Sequence, residues 1–169
     1  MERKSSTKES ITYLKRKTMD TVDIYIETSN HSIKRTERKA MYLMSFTRKN
    51  GETVTWPPIE EISTSILQTE GTWTESEAET LTKALSCVVR PCEIVLHTKC
   101  PQTGIALGLW IPGWRDKGWK KSDGSEVPEL YRNLAEAAEL HNITVTQEPH
   151  EYESWMATQM KGENHDRRN

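Results

Sequence analysis

The sequence is poor in phenylalanine and cysteine and contains no long hydrophobic run. It has one phenylalanine and three cysteines among 169 residues. Cys87, Cys92 and Cys100 have neither the paired spacing of a zinc site nor the even number of a disulfide framework. No run of 18 apolar residues and no apolar leader segment is visible. These absences predict a cytoplasmic protein in a reducing compartment, with no membrane partner.

An excess of positive charge is also missing. The chain has 23 lysines and arginines against 25 aspartates and glutamates, for a net charge of -2. Any binding to a polyanion must therefore come from a local patch. The composition predicts a flexible basic arm at residues 1–20, one domain at residues 21–160 and a polar tail at residues 161–169.

The apolar pattern predicts a mixed α/β fold. Residues alternate as in a strand from Val22, Asn50-Gly51 is typical of a hairpin turn, and residues 56–71 read as a connection or an edge segment. A helix follows, with a capping box of Thr74 and Glu77, and Pro91 ends it. The remaining pattern predicts a strand at 92–98, helices at 101–111 and 127–141, a strand at 142–148 and a helix at 150–161. The total is a five-stranded mixed sheet flanked by helices.

Half of the six tryptophans lie in one short basic stretch, residues 110–126, which we call the handle. Its tryptophans offer area for packing or for stacking on a base, and packing is the favoured interpretation. Its cations either contact phosphates or form a solvated face. The residues concerned are Trp110, Trp114, Arg115, Lys117, Trp119, Lys120 and Lys121.

Five motifs follow one another over roughly residues 22–160: DIYIETS, TESEAETLTKAL, PCEIVLHTKC, GIALGLWIPGWRDKGWKKSDGSEV and ELYRNLAEAAELHNITV. In this order they resemble type 1 ribonuclease H. The tryptophan spacing of the handle is the most specific of them. The resemblance implies a ribonuclease H-like fold, in which the handle lays basic side chains against the phosphates of an RNA–DNA hybrid.

The resemblance also implies a set of four carboxylates that hold two divalent metal ions. Glu27 and Glu77 correspond to the first two positions and are the metal ligands, if any. Lys99 occupies the third, where the family has aspartate. Glu151 or Glu153 is the nearest acid to the fourth position, and His150 corresponds to the family's mobile histidine or caps the last helix.

Lys99 introduces a cation where the family places a metal ligand. We therefore expect a nucleic-acid-binding protein that engages RNA–DNA hybrid or other duplex with hydrolysis lost or impaired. One alternative is an active, divergent ribonuclease H that uses Mg²⁺ or Mn²⁺; without activity no cofactor is expected. A second alternative is a protein-interaction scaffold. Other nucleic-acid-processing proteins are further candidate partners.

Overall fold

The computed structural model describes residues 20–168, so the basic arm expected at the N-terminus lies, apart from Asp20, outside the described residues. The strands are β1 (Asp20–Thr28), β2 (Thr36–Thr47), β3 (Thr53–Trp56), β4 (Ile66–Gly71), β5 (Cys92–His97) and β6 (Asn142–Thr146). The helices are α1 (Trp73–Ser86), α2 (Pro101–Ile105), α3 (Ile111–Asp116), α4 (Glu129–Ala138) and α5 (Glu153–Arg168). A 3₁₀ segment spans Ile59–Ser65, and a π turn at Ala106–Trp110 joins α2 to α3.

The sheet is mixed, as the sequence predicts, but it has six strands instead of five. Its order is β3-β2-β1-β5-β6, and β4 also pairs with β2. β3 and β4 share the outer edge of β2: β3 pairs with Met44–Thr47 and β4 with Thr36–Met41. β2 is antiparallel to β1, whereas β5 and β6 run parallel to β1. The segment expected as a connection or an edge is therefore both, a 3₁₀ turn followed by an edge strand.

Helices cover both faces of the sheet, and β1 contributes to both layers. Ile24 and Ile26 enter a large core with residues of α1 and α4, whereas Tyr25 enters a smaller core beneath α5 with Met156 and Met160. Because side chains alternate along a strand, Asp23 and Glu27 share the α5 face with Tyr25. β1 therefore carries a row of polar side chains toward the C-terminal helix.

The start of α1 differs from the expected capping box. Thr72 is the N-cap and accepts a hydrogen bond from the backbone N–H of Glu75, whose side chain accepts from the backbone N–H of Thr72. The predicted pair, Thr74 and Glu77, was wrong by two residues, because both pairs fit the same sequence pattern. Glu77 is consequently free of a capping role and lies inside the domain, 1% exposed.

Other helix boundaries also differ from those that the sequence predicts. α1 ends at Ser86, five residues before Pro91, and leaves Val89 83% exposed. The tryptophan-rich stretch begins inside the helical segment instead of after it. α5 begins at Glu153 and continues beyond residue 161 to Arg168, which makes it longer than the apolar pattern predicts.

Candidate active site and nucleic-acid interface

Glu27 and Lys99 lie opposite each other at the carboxyl ends of adjacent parallel strands. Tyr25 of β1 is in register with His97 of β5. Glu27 lies two positions after Tyr25, and Lys99 lies two positions after His97. The Lys99 Nζ is 3.0 Å from the Glu27 Oε1. The Glu27 side chain is buried, whereas that of Lys99 is 39% exposed. The pairing places a lysine ammonium directly against the acid at the first expected position.

Both members of this pair are held in their charged forms. Burial acts to raise the pKa of Glu27, but contacts with His150 and Lys99 outweigh it and lower the pKa. Burial acts to lower the pKa of Lys99, but the carboxylates of Glu27 and Glu153 outweigh it and raise the pKa. A carboxylate and an ammonium therefore face each other at neutral pH.

Glu77 reaches the same region from α1 but behaves differently. Its Oε1 accepts a 2.6 Å hydrogen bond from the Thr98 hydroxyl, and its Oε2 is buried without a partner among the described residues. Burial raises the pKa of Glu77 to about 8, despite the Thr98 bond, and the nearby Glu27 charge adds to the rise. The side chain is therefore mostly protonated at neutral pH.

The segment before α5 completes the cluster. The His150 Nδ1 accepts a hydrogen bond from the Tyr152 backbone N–H, and its Nε2 lies 3.4 Å from the Glu27 Oε2. This arrangement places the imidazole proton on Nε2, which donates to Glu27. The Glu153 Oε1 lies 3.7 Å from the Lys99 Nζ, whereas Glu151 is exposed. Of the two acids considered, the structure brings Glu153 into the cluster.

A row of residues beside the cluster was not predicted as part of it. The His97 Nε2 lies 2.8 Å from the Asp23 Oδ1, and the His97 ring stacks on Tyr25 with centroids 4.3 Å apart. Tyr25 also contacts His150, at 4.7 Å between centroids. The alternation of β1 contains the signal, because it places Asp23, Tyr25 and Glu27 on one face. Through Tyr25, this row packs against His150 and Tyr152.

The tryptophans of the handle pack against the domain. Trp110, Trp114 and Trp119 all lie partly buried against the large core. The Trp114 ring is 5.9 Å from that of Trp110 and 5.2 Å from that of Tyr131. Trp119 adopts a φ of 64°, which is strained for a residue other than glycine, and its N–H donates a 2.7 Å hydrogen bond to the Trp114 carbonyl. The packing interpretation of these side chains agrees with this geometry.

The cations of the handle are all exposed, but they are not equivalent. Lys120 pairs with Glu126 at 3.1 Å. Arg115, Lys117 and Lys121 form no ion pair within the described part of the chain. Three acids lie among these four cations, which leaves the handle with a net charge of +1. The handle therefore offers a modest positive surface, with three cations open to a ligand.

Curated proteins of similar sequence are named ribonuclease H. A ribonuclease H of Rhodopirellula baltica is 30% identical over 91 residues, 51% of this chain and 58% of that protein. A ribonuclease H of Rhizobium meliloti is 40% identical over 63 residues, 36% of this chain and 41% of that protein. The chain thus spans about half the length of these curated relatives. No protein-family model matches it.

Solved structures agree on the fold. A type 1 RNase H with the type 2 active-site motif superposes with a TM-score of 0.63 at 14% identity, over 85% of this chain and 74% of that one. In sequence the chain is similar to proteins named ribonuclease H, and it has a ribonuclease H-like fold. A foamy viral protease–reverse transcriptase in complex with RNA/DNA hybrid superposes with a TM-score of 0.50 at 10% identity, over 83% of this chain and 19% of that one.

The central cluster of the chain fits two divalent ions poorly. Glu27, His150 and Glu153 each offer one ligand atom, and these atoms lie within 4.8 Å of one another. The Lys99 ammonium, however, contacts two of the three residues, and Glu77 is protonated at neutral pH. The buried Glu77 Oε2 has no partner among residues 20–162, which is a feature of an oxygen ligand. The donor atoms resemble a metal site, but the Lys99 ammonium lies against two of them.

No helix within residues 20–168 is long and apolar enough to cross a bilayer.

Proposed function

We propose that this ribonuclease H-like chain binds RNA–DNA hybrid or a related duplex through its handle and cleaves it poorly or not at all. The observation that carries the proposal is the Lys99 ammonium 3.0 Å from Glu27 and 3.7 Å from Glu153. A divalent cation that entered this cluster would meet a positive charge where the family supplies an aspartate.

The energetics favour the lysine over a metal ion. Two unit charges about 4 Å apart attract by roughly 4 kcal/mol at an effective dielectric near 20, before desolvation is subtracted. Because Lys99 is 39% exposed, solvent screening reduces its net contribution to about 1 kcal/mol. The same ammonium repels a divalent cation, which carries two positive charges. A metal ion held by Glu27 and Glu153 therefore requires Lys99 to move away, and one that also binds Glu77 requires that side chain to lose its proton.

The binding half of the proposal rests on the handle. Arg115, Lys117 and Lys121 are exposed cations on a segment that Trp110 and Trp114 anchor to the core. Cations on a rigid support neutralise phosphates without reading sequence, so affinity depends on salt more than on bases. The net charge of +1 on the handle predicts weak, salt-sensitive binding.

The test measures cleavage and binding on one substrate. A labelled RNA–DNA hybrid is incubated with the protein in Mg²⁺ and then in Mn²⁺, and binding is measured by anisotropy in a chelator. We expect binding without multiple-turnover cleavage in either metal. A Glu27→Gln variant, which removes the acid at the cluster, serves as the matched control. Turnover by the parent that disappears in this variant would contradict the proposal.

A second candidate function, an active divergent nuclease, is favoured by one observation. The ligand atoms of Glu27, His150 and Glu153 lie within 4.8 Å of one another and offer oxygen and nitrogen donors to a single ion. On this alternative, metal binding displaces Lys99 toward solvent. Cleavage that appears in Mn²⁺ but not in Mg²⁺ would favour it, because Mn²⁺ accepts nitrogen ligands more readily.

A further inference from the structure

A cavity of about 600 Å³ opens at the end of the sheet opposite the Glu27–Lys99 pair. It is formed by the start of β1, the end of β2 and the residues that follow α1. Val22 lines it, five residues before Glu27 on the same strand, and five residues of strand span about 17 Å. The cavity is thus separate from the cluster described above, and none of the handle residues lines it.

The walls of this cavity are apolar, and part of the apolar surface is exposed. Val22, Met44, Phe46 and Val88 form the inner wall. Trp56, 46% exposed, and Val89, 83% exposed, flank the opening. Binding sites for small molecules are concave, mostly apolar and of about this volume. The cavity therefore has the size and lining of a site for an apolar group.

The remaining lining residues give the opening a positive charge. Arg48, Lys49 and Arg90 lie there with Asp20, the one acid that lines the cavity. Arg48 pairs with the exposed Glu52 at 3.5 Å, and Arg90 pairs with Asp20. The Arg90–Asp20 distance is 3.4 Å and the side chains are 81% and 66% exposed, so this pair contributes little stability and yields readily to a ligand. Lys49 has no ion pair with any residue that the structure describes. The opening is therefore complementary to an anion.

We propose that this cavity binds a small amphipathic anion, with an aromatic or aliphatic body against the apolar wall and a carboxylate or phosphate group at the cations. The apolar wall accounts for the body, and the two arginines and Lys49 account for the anionic group. The proposal concerns a site other than the duplex-binding surface and does not depend on it.

The chain contains a reporter for this site. Cys87 lines the cavity and is exposed, whereas Cys92 and Cys100 are buried. A thiol reagent in the native protein should therefore modify Cys87 first. A ligand that fills the cavity shields this thiol, so the rate of modification measures occupancy.

The experiment follows the rate of Cys87 alkylation with four probes at millimolar concentration. Adenosine monophosphate and octanoate present the two kinds of body with an anionic group, and adenosine and octanol present the same bodies without it. For a dissociation constant near 0.1 mM, we expect about a tenfold slowing by at least one of the anions and little by its neutral partner. Slowing by the nucleotide alone identifies an aromatic body, and slowing by octanoate alone an aliphatic one.

A double variant, Lys49→Glu with Arg90→Glu, tests the role of the cations. Both side chains are exposed, so the fold should persist, and a circular dichroism melt verifies this. We expect protection by the anions to disappear in the double variant and to persist in Lys161→Glu, an exposed lysine on α5. Absence of protection in the parent, equal protection by neutral probes, or undiminished protection in the double variant would each overturn the proposal.

Discussion

The Lys99 ammonium lies 3.0 Å from the Glu27 carboxylate, across two parallel strands in register. The pair brings opposite charges together at the carboxyl ends of β1 and β5, where the resemblance to ribonuclease H implies a metal ion. Glu153 adds a second carboxylate at 3.7 Å from the same ammonium, and Glu77 adds a neutral acid. The cluster therefore holds one ammonium against two carboxylates, and four testable consequences follow from its charges and from the handle.

The first concerns Glu77 and pH. Its pKa is about 8 in the folded protein against an ordinary value of 4.5. Between these values the folded state keeps a proton that the unfolded state has lost. The free energy of unfolding therefore falls as pH rises from about 4.5 to 8, by at most about 1.4 kcal/mol per pH unit. Glu77→Gln, which cannot ionise, should remove this part of the slope.

The measurement is urea unfolding of parent and variant at several pH values. We expect Glu77→Gln to match the parent near pH 5 and to exceed it by about 2–4 kcal/mol at pH 8. Glu136→Gln, an exposed position on α4, is the control and should run parallel to the parent. Parallel curves for parent and Glu77→Gln would show that Glu77 is ionised in the folded protein.

The second consequence concerns the salt dependence of hybrid binding. Replacement of Lys117, Lys120 and Lys121 by alanine removes three handle cations, one of which is already paired with Glu126. Each phosphate contact contributes about 0.9 to the slope of log K against log salt. We therefore expect the slope to flatten by about two units, as measured by anisotropy titrations from low to physiological salt.

The control for this experiment is a matched triple replacement of exposed lysines elsewhere, Lys49, Lys83 and Lys161. It should leave the slope nearly unchanged. If the control variant flattens the slope and the handle variant does not, duplex binds to a different surface of the domain.

The third consequence concerns Trp114, which packs between Trp110 and Tyr131. Trp114→Ala removes a partly buried ring and should lower the free energy of unfolding by about 2–4 kcal/mol. Trp56→Ala, at a 46% exposed ring, should cost less than about 1 kcal/mol in the same urea titration. A stable Trp114→Ala variant that has lost duplex binding would instead favour base stacking.

Much of the fold was predictable because its signals are local. Alternation identified β1, Asn50-Gly51 identified the β2–β3 hairpin, and helical spacing identified α1 and α4. β4 was left open between a connection and an edge segment, because it follows two prolines and carries polar residues from Gln68 onward. The capping box was misplaced because two overlapping pairs fit one pattern, and only the extended backbone of Thr72 distinguishes them.

The site was predictable only in part, because its residues meet through contacts between segments distant in sequence. Parallel pairing of β1 with β5 brings Glu27 opposite Lys99, and the resemblance supplied that pairing. The choice between Glu151 and Glu153 depends on where α5 begins, which short-range patterns define poorly. The protonation of Glu77 arises from burial, and the cavity near Cys87 joins three segments distant in sequence. Neither feature is visible in a linear pattern.

The fourth consequence concerns Lys99→Asp, which replaces the internal counter-ion by a third carboxylate beside Glu27 and Glu153. Without metal, the like charges should lower the free energy of unfolding by about 2–4 kcal/mol. A divalent ion that binds only the folded state should restore much of this loss by mass action. Lys99→Met is the matched control: it also lacks the ammonium, but it offers no ligand, so metal should restore little.

The direct measurement is a thermal melt of the parent, Lys99→Asp and Lys99→Met, each in a chelator and in millimolar Mg²⁺. We predict that Mg²⁺ raises the Tm of Lys99→Asp by several degrees, about 2–4 °C for each kcal/mol recovered. The Tm of the parent and of Lys99→Met should hardly change. A parent that Mg²⁺ stabilises as strongly as Lys99→Asp would contradict the claim that the Lys99 ammonium occupies the cation position of this cluster.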